Sequence, residues 1–256
     1  MLLAIDTGNT QTVIGLFDGT ELADHWRIAT VASRTSDELA LMIQQFLGFH
    51  GFSFDDQVTG LAVCSGVPSV TAALRAMTTR YFGFEALVIE PGVRTGMPIL
   101  YDNPKEVGPD RIADAVAAFE LYGGPTIVVD FGTANTVEAV SAKGEYLGGA
   151  IFPGVEISMD ALFGRAAALR RVELVPPRNV IGKSTVESIQ SGLIYGFSGQ
   201  IDAIVDRFAA ELGPCTVVAT GGLAEDIMPF SRTIQHHEPW LTLHGLRLIY
   251  ERNLAP

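Results

Sequence analysis

Two stretches place an aspartate at the end of an apolar run and follow it with a turn of glycine and hydroxyl residues. They read "MLLAIDTGNTQTVIGLFDG" from residue 1 and "TIVVDFGTANTVEAVSAKG" from residue 126. In the first, Gly8 allows a ligand to approach the backbone, and Asn9, Thr10 and Thr12 are side chains able to donate hydrogen bonds to phosphate oxygens. Asp6, at the strand end, suits a metal-bound water. The residues after Thr10 include Thr12, Val13, Ile14 and Leu16, which favour a strand. The loop is therefore expected at a hairpin tip, unlike the Rossmann and P-loop turns that feed a helix. Asp, Gly and Asn are also ordinary hairpin residues; the second copy is what favours a shared chemical role.

A third stretch, "VGPDRIADAV", sets Asp110 beside Arg111 at the expected start of a helix. Asp is a favoured N-cap, so local structure alone accounts for it. A carboxylate at a helix N-terminus is expected to be favoured in its charged form and so to be a weak base. Phosphoryl transfer tolerates this, because in a loose transition state the attacking hydroxyl loses its proton late. The segment "PRNVIGKST" imitates a P-loop but has Pro177 where the pattern needs glycine, and no apolar strand leads into it. Ser184 or Thr185, assisted by Glu187, is expected to cap the long helix that follows.

The elements that position these residues alternate. "DHWRIAT" reads as a strand, and "TSDELALMIQQFLGF" as a helix with Leu39, Met42, Ile43, Phe46 and Leu47 at helical spacing behind a Ser36 or Asp37 cap. "GLAVCSGVP" and "ALVIE" read as strands, "SVTAALRAMTTRYF" as a helix, and "DRIADAVAAFELY" as a helix with Ile112, Ala115, Val116 and Phe119 on one face. Further on, "STVESIQSGLIYGFSGQIDAIVDRFAAEL" is a long helix, "CTVVAT" a strand, and "GGLAED" opens another helix. Such alternation predicts mixed α/β sheets flanked by helices. Asp6 and Asp130 lie 124 residues apart, and Gly8/Gly132, Thr12/Thr136 and Val13/Val137 match at the same offset. This suggests a duplication, with lobes over 1–122 and 123–256 divided near the "YGGPT" turn.

The chain has 256 residues, 48% of them hydrophobic, enough for one large core or two modest ones. A formal net charge of −12 without a basic block disfavours a nucleic-acid surface. Cys64 and Cys215 are too few for a disulfide scaffold or a four-ligand zinc site. Asp6 interrupts the N-terminal apolar run, so neither a signal peptide nor a membrane span is expected, and a cytoplasmic location is.

Taken in order, "DTGNT", "YDNPKEVGPDR", "DFGTANT", "GGAIFPG", "GKSTVESIQSG" and "TGGLAED" resemble the motifs of type III pantothenate kinases, from Asp6 to the "TLHGLRLIYERN" tail. The resemblance implies a duplicated two-lobed actin-like (ribonuclease-H-like) ATPase fold with one hairpin on each wall of a phosphate-binding cleft. It implies ATP-dependent phosphorylation of pantothenate to 4′-phosphopantothenate, the first step toward coenzyme A. By position, Asp6, Thr7, Gly8, Asn9, Thr10, Gln11, Thr12 and Val13 resemble the ATP phosphate loop, with Asp6 toward Mg²⁺. Thr133 resembles a second phosphate contact, and Asp130 the ligand of a monovalent cation, K⁺ or NH₄⁺. Tyr101, Gly108, Pro109, Asp110, Arg111 and Thr185 resemble pantothenate contacts, with Asp110 as proton acceptor. A homodimer with shared sites is also implied, the apolar face with Ile189, Leu193, Ile194 and Phe197 serving either the interface or its own lobe. Two departures stand out: Pro109 removes an N–H donor and restricts Gly108, and Asn135 stands where threonine is frequent. The same family resemblance admits a regulatory accessory factor, which the intact Asp6, Asp110, Arg111 and Asp130 disfavour. A kinase for another small alcohol is disfavoured by "GPDR" and "YDNP".

Overall fold

The first apolar run forms strand β1 (Leu2–Thr7), buried along nearly its whole length, which is why it reads as continuous rather than alternating. It belongs to a computed structural model that describes residues 1–53, 57–166 and 169–254. After β1 come β2 (Gln11–Asp18), β3 (Glu21–Ala29), α1 (Ser36–Phe49), β4 (Gly60–Ser65), α2 (Pro68–Met77), β5 (Leu87–Val88) and α3 (Pro109–Tyr122). Then follow β6 (Thr126–Phe131), β7 (Ala134–Val140), β8 (Tyr146–Pro153), α4 (Val155–Arg165), α5 (Thr185–Leu212), β9 (Thr216–Thr220), α6 (Ala224–Ile227), β10 (His236–His237) and α7 (Leu241–Leu254). No helix among the described residues is long and apolar enough to cross a membrane.

The strands make two five-stranded mixed sheets, ordered β3-β2-β1-β4-β5 and β10-β9-β6-β7-β8. Read from opposite ends, these are one topology: a central strand antiparallel to the next in sequence and parallel to a later one. The duplication extends to an irregularity. The β2–β3 ladder slips between Leu16 and Phe17, and the β7–β8 ladder slips between Ala139 and Val140, the corresponding rung.

The pairing corrects part of the expected match. Asp6 pairs with Val13 and Thr7 with Thr12, whereas Asp130 pairs with Thr136 and Phe131 with Asn135. The second hairpin tip is one residue shorter, so Val13 corresponds to Thr136 and Thr12 to Asn135. The matched letters Thr12/Thr136 and Val13/Val137 are one rung out of register.

Each sheet carries its own core. In the first, Leu3, Ile5, Ile14 and Leu16 pack with Leu39, Ile43 and Leu47 of α1 and Val70 and Leu74 of α2. In the second, Ile127, Val129, Phe131 and Val137 pack with Leu193, Ile194, Phe197 and Ile201 of α5, with Ile189 against their edge. Each fully buried aliphatic contributes about 1.5–3 kcal/mol. The α5 face offered above for an interface therefore faces its own sheet.

Contacts divide the chain into one unit of Met1–Gly96, Asn103–Ala117 and Thr242–Pro256, and another of Met97–Asp102 and Ala118–Leu241. This differs from the expected cut at 122/123 at both ends. Leu243 and Tyr250 of α7 lie over Gly15 and Gly60 of the first sheet. The segment before residue 103 joins the second sheet, where the Leu100 amide donates to the Tyr146 carbonyl at 2.8 Å.

Element ends meet expectation at α5, where Ser184 is the cap, and differ at others. The cap of α1 is Thr35, whose hydroxyl accepts from the Glu38 amide while the Glu38 carboxylate accepts from the Thr35 amide, a capping box. Ser184 caps α5 by accepting from the Glu187 amide at 3.2 Å. Helix α2 continues beyond Met77 as a π-helical turn over Thr78–Phe82, so the expected segment is helical to its end, whereas "GGLAED" opens only the short α6.

Candidate active site

The first hairpin tip spans residues 8–11, closed by the Gly8 amide donating to the Gln11 carbonyl at 3.0 Å. Gly8, Asn9, Thr10 and Gln11 are exposed. Thr12 is 4% exposed and shares a 2.8 Å hydrogen bond with Thr30. It supports the tip from behind, contrary to its expected place among the phosphate donors. Thr7 is buried, Val13 half-buried, and Arg27 donates to the Gln11 side chain at 2.9 Å.

Asp6 lies one rung from the tip, beside Cys64 on the parallel strand β4. The Cys64 thiol donates to Asp6 Oδ1 at 3.1 Å. The Asp6 carboxyl is raised to about 6, chiefly by burial, with the thiol bond and Arg27 opposing the shift and the negative charge of Asp110 adding to it. Burial, followed by the Asp6 and Asp110 charges, pushes the Cys64 thiol well above its ordinary range. Asp6 and Asp110 thus share one electrostatic neighbourhood at the tip of the first sheet.

Helix α3 supplies Asp110. The Gly108 carbonyl accepts from the Ile112 amide at 3.2 Å, which makes Gly108 the cap, and Pro109 occupies the first helical position, where its missing N–H costs nothing. Asp110 is inside the first turn, not the N-cap; it is exposed, and its Oδ1 accepts from the Arg111 amide at 2.9 Å. A side chain at residue 108 would collide with that carboxylate. Arg111 is 8% exposed, which rules out an ordinary surface ion pair as its role.

In the second unit, Asp130 is half-buried at the end of β6, between Thr136 and Thr220 on neighbouring strands. Gly221, at φ +93°, passes so close that any side chain there would strike the Asp130 carboxylate and the Phe131 backbone. Thr133 is exposed at the tip, and its carbonyl accepts from the Gly154 amide at 3.2 Å. Asn135 is fully buried, and neither its amide oxygen nor its nitrogen has a hydrogen-bond partner. Tyr101 lies against Gly148, its ring centroid 6.4 Å from that of Tyr146. Thr185 is exposed in the first turn of α5 and lines a groove of about 520 Å³ with Leu162, Ser188, Ile189 and Leu193.

The structure thus groups the 8–11 tip, Asp6 and Asp110 in the first unit, and Asp130, Thr133, Tyr101 and Thr185 in the second. Sequence reading missed Cys64 and Thr30. Cys64 is legible only through strand pairing, and Thr30 leaves no local signal because its partners are 18 to 22 residues earlier.

Among the described residues no group of three or more His, Cys, Asp or Glu is arranged to hold a metal alone. A half-buried carboxylate with a raised pKa, within the field of a second carboxylate, suits a hard cation that keeps waters and takes further ligands from phosphate, as Mg²⁺ does. The Asp130 oxygens likewise suit a hard monovalent cation.

Two sheets of one topology, each with an aspartate-ended hairpin, define the fold class of actin-like and sugar-kinase-like proteins. Solved structures with this fold include a Baf-family protein from Campylobacter jejuni described as a transcriptional activator, 17% identical with TM-score 0.59 over 98% of each chain. Another is a ROK hexokinase from Thermus thermophilus, 13% identical with TM-score 0.53 over 100% of this chain and 99% of that one. At these identities the likeness is one of fold alone. Sequence is more specific: the family model described as type III pantothenate kinase matches residues 2–207. The type III pantothenate kinase of Streptomyces avermitilis is 58% identical over 263 aligned positions, covering 100% of this chain and 99% of the relative. That of Frankia alni is 55% identical, covering 99% and 100%. The chain belongs to the type III pantothenate kinase family.

Proposed function

We propose that the protein transfers the γ-phosphoryl group of ATP to the primary hydroxyl of pantothenate, giving 4′-phosphopantothenate and ADP at the first step of coenzyme A biosynthesis in the cytoplasm. The observation that carries this reading is the exposed Asp110 carboxylate beside Asp6 at the first hairpin tip, in a chain of this family. The hydroxyl oxygen of pantothenate forms the new bond to phosphorus, the bond from phosphorus to the β–γ bridging oxygen breaks, and the hydroxyl proton passes to Asp110. Mg²⁺, when bound, offsets the phosphate charge. Asp6 would hold that ion, while Gly8 to Gln11, with Thr133, receive the phosphates. Asp130 would hold K⁺ or NH₄⁺. Arg111 presents a planar donor fork to an anionic part of the substrate, and Tyr101 an amphipathic wall; Gly108, Pro109 and Thr185 complete the contacts.

We further propose a homodimer in which Thr185 serves the partner's site. Leu162, Val180, Ile181 and Val186, all exposed around the start of α5, support self-association there. A coupled assay of ADP formation with ATP, Mg²⁺ and K⁺ tests the activity, with pantothenate against pantoate and simple sugars. ATP binding without turnover of pantothenate favours an accessory factor, and preference for a control substrate favours another kinase. For the dimer, Asp110→Ala and Thr185→Trp chains, each nearly inactive, should regain activity when co-refolded. Background activity in verified mixed dimers means each pocket is completed within one chain.

A further inference from the structure

The tip that the functional reading assigns to ATP phosphate is held by a residue outside it. Thr30 follows the last residue of β3, and its amide donates to the Thr10 carbonyl at 2.9 Å. Its hydroxyl lies 2.8 Å from the Gly8 carbonyl and 2.8 Å from the Thr12 hydroxyl. A carbonyl only accepts, so the single Thr30 hydroxyl hydrogen goes to Gly8. Thr12 must then be the donor in the hydroxyl pair, and its hydrogen is directed at Thr30 rather than at a ligand. One residue thereby ties the first residue of the tip and the residue just after it through its side chain, and Thr10 between them through its backbone amide.

The second hairpin shows that the fold does not require this device. The rung Gln11–Ala29 corresponds to Ala134–Pro153, so the counterpart of Thr30 is Gly154. Gly154 keeps the backbone bond, donating to the Thr133 carbonyl at 3.2 Å, but has no side chain, and one would collide with the Gly132 and Thr133 carbonyls.

We propose that Thr30 is a positioning residue for the phosphate hairpin, holding Gly8 to Gln11 in the conformation that receives ATP phosphates. This rests on the reading of that hairpin as the ATP site. Thr30→Val keeps the shape and the extended backbone preference but removes both side-chain bonds, whereas Thr30→Ser keeps the hydroxyl. Losing two ordinary hydrogen bonds at a binding loop predicts that Thr30→Val raises the KM and Kd for ATP about tenfold. The KM for pantothenate should stay within about twofold, with Thr30→Ser near wild type. Thr12→Val, which leaves the bond to Gly8, should have a smaller effect, and the double variant should be no worse than Thr30→Val alone, because the shared bond is lost only once. If Thr30→Val does not fold, Thr12→Val carries the test: a rise confined to ATP supports the tie. An unchanged ATP affinity in the folded variants, or equal loss for both substrates without rescue by serine, overturns it. Calorimetric ATP titration keeps the test separate from the functional reading, since a wild type that binds ATP without turning over pantothenate would still report the tie.

Discussion

The two hairpins share a topology, a bulged rung and an aspartate, yet they differ in what surrounds that aspartate. Asp6 lies against the thiol of a fully buried cysteine and near the charge of Asp110, with a four-residue tip stapled by Thr30. Asp130 lies against the bare backbone of Gly221, with a three-residue tip braced by Gly154 at the start of α4. The first surroundings make a carboxylate short of positive charge and a preorganised loop. The second leave room at the carboxylate by omitting side chains. The frame occurs twice, and on the proposed reading the differences around it make the first hairpin the divalent-cation and proton-transfer side and the second the monovalent-cation side.

The sharpest way to break this division is Asp110→Asn, which removes the proposed proton acceptor but keeps the helix turn. kcat should fall by about 10² or more with the melting temperature little changed. Near-full activity in the folded variant would reduce Asp110 to a structural residue of the first turn. It would also remove the chemical asymmetry between the hairpins.

A second test uses the Asp6 titration in the ATP-free protein. Its native pKa, about 6, is above the unfolded value of 3.8. Below pH ~4 both states are protonated and there is no penalty. From pH ~4 to ~6 the unfolded chain ionises first, so stability falls as pH rises, and above ~6 the full penalty persists. Asp6→Asn should therefore stabilise the ATP-free protein at pH 7.5 by on the order of 2 kcal/mol, allowing for its partial exposure, and by nothing near pH 4. Melting curves across that range check this, and a parallel offset at all pH values would place the effect in packing instead.

How much of this was legible depends on where each signal lay. Strands and helices with a long apolar run or one strong period were readable, including β1, β2, α1 and α5. Strand β8 was hidden by Gly148 and Gly149, which weaken β propensity, and α7 by its mixture of Gly245 with polar residues. Two local rules were present but outweighed by nearer letters. Thr35 with Glu38 spells a capping box, yet Ser36 and Asp37 drew the cap inward. Pro109 marks a first helical position, so it assigns the cap to Gly108 and not to Asp110. The hairpin register was out of reach, because "TV" recurs just after both tips, at 12–13 and 136–137, and only the ladder shows that one tip is a residue shorter. The aspartates were legible as a pair; the Thr30 staple and the Cys64 bond were not, since both depend on which distant strands become neighbours.

The monovalent-cation assignment sharpens the comparison from the other side. If Asp130 holds such an ion, turnover should rise several-fold with K⁺ or NH₄⁺ and little with Na⁺ at fixed ionic strength, because cavity size discriminates among ions of one charge. Asp130→Asn should abolish that dependence while leaving the Mg²⁺ requirement. Equal rates in all three salts would leave the second hairpin without its proposed role.

The smallest expected effect concerns Asn135, the counterpart of Thr12. Thr12 is buried with its hydroxyl bonded, whereas Asn135 is buried with neither amide atom partnered. Its side chain shares a face with Phe131 and Val137 in the second core, so water does not compensate the lost hydrogen bonds. An unsatisfied buried amide costs about 1–3 kcal/mol, part of which is regained when an apolar group of suitable shape replaces it. Asn135→Val is smaller and leaves some space, but it is β-branched in a strand and carries no polar atom. The expected net is a gain of about 1 kcal/mol in stability with turnover unchanged, read by denaturant titration beside the kinetic assay. That result would mark Asn135 as tolerated frustration at the shorter tip, which the frame survives because the hairpin is held by Gly154 and not by this residue. A stabilised variant with a lowered response to ATP would mean the reverse: the orphaned amide is kept for a ligand-bound state, and the second hairpin is tuned for function at a cost in stability as the first is at Asp6.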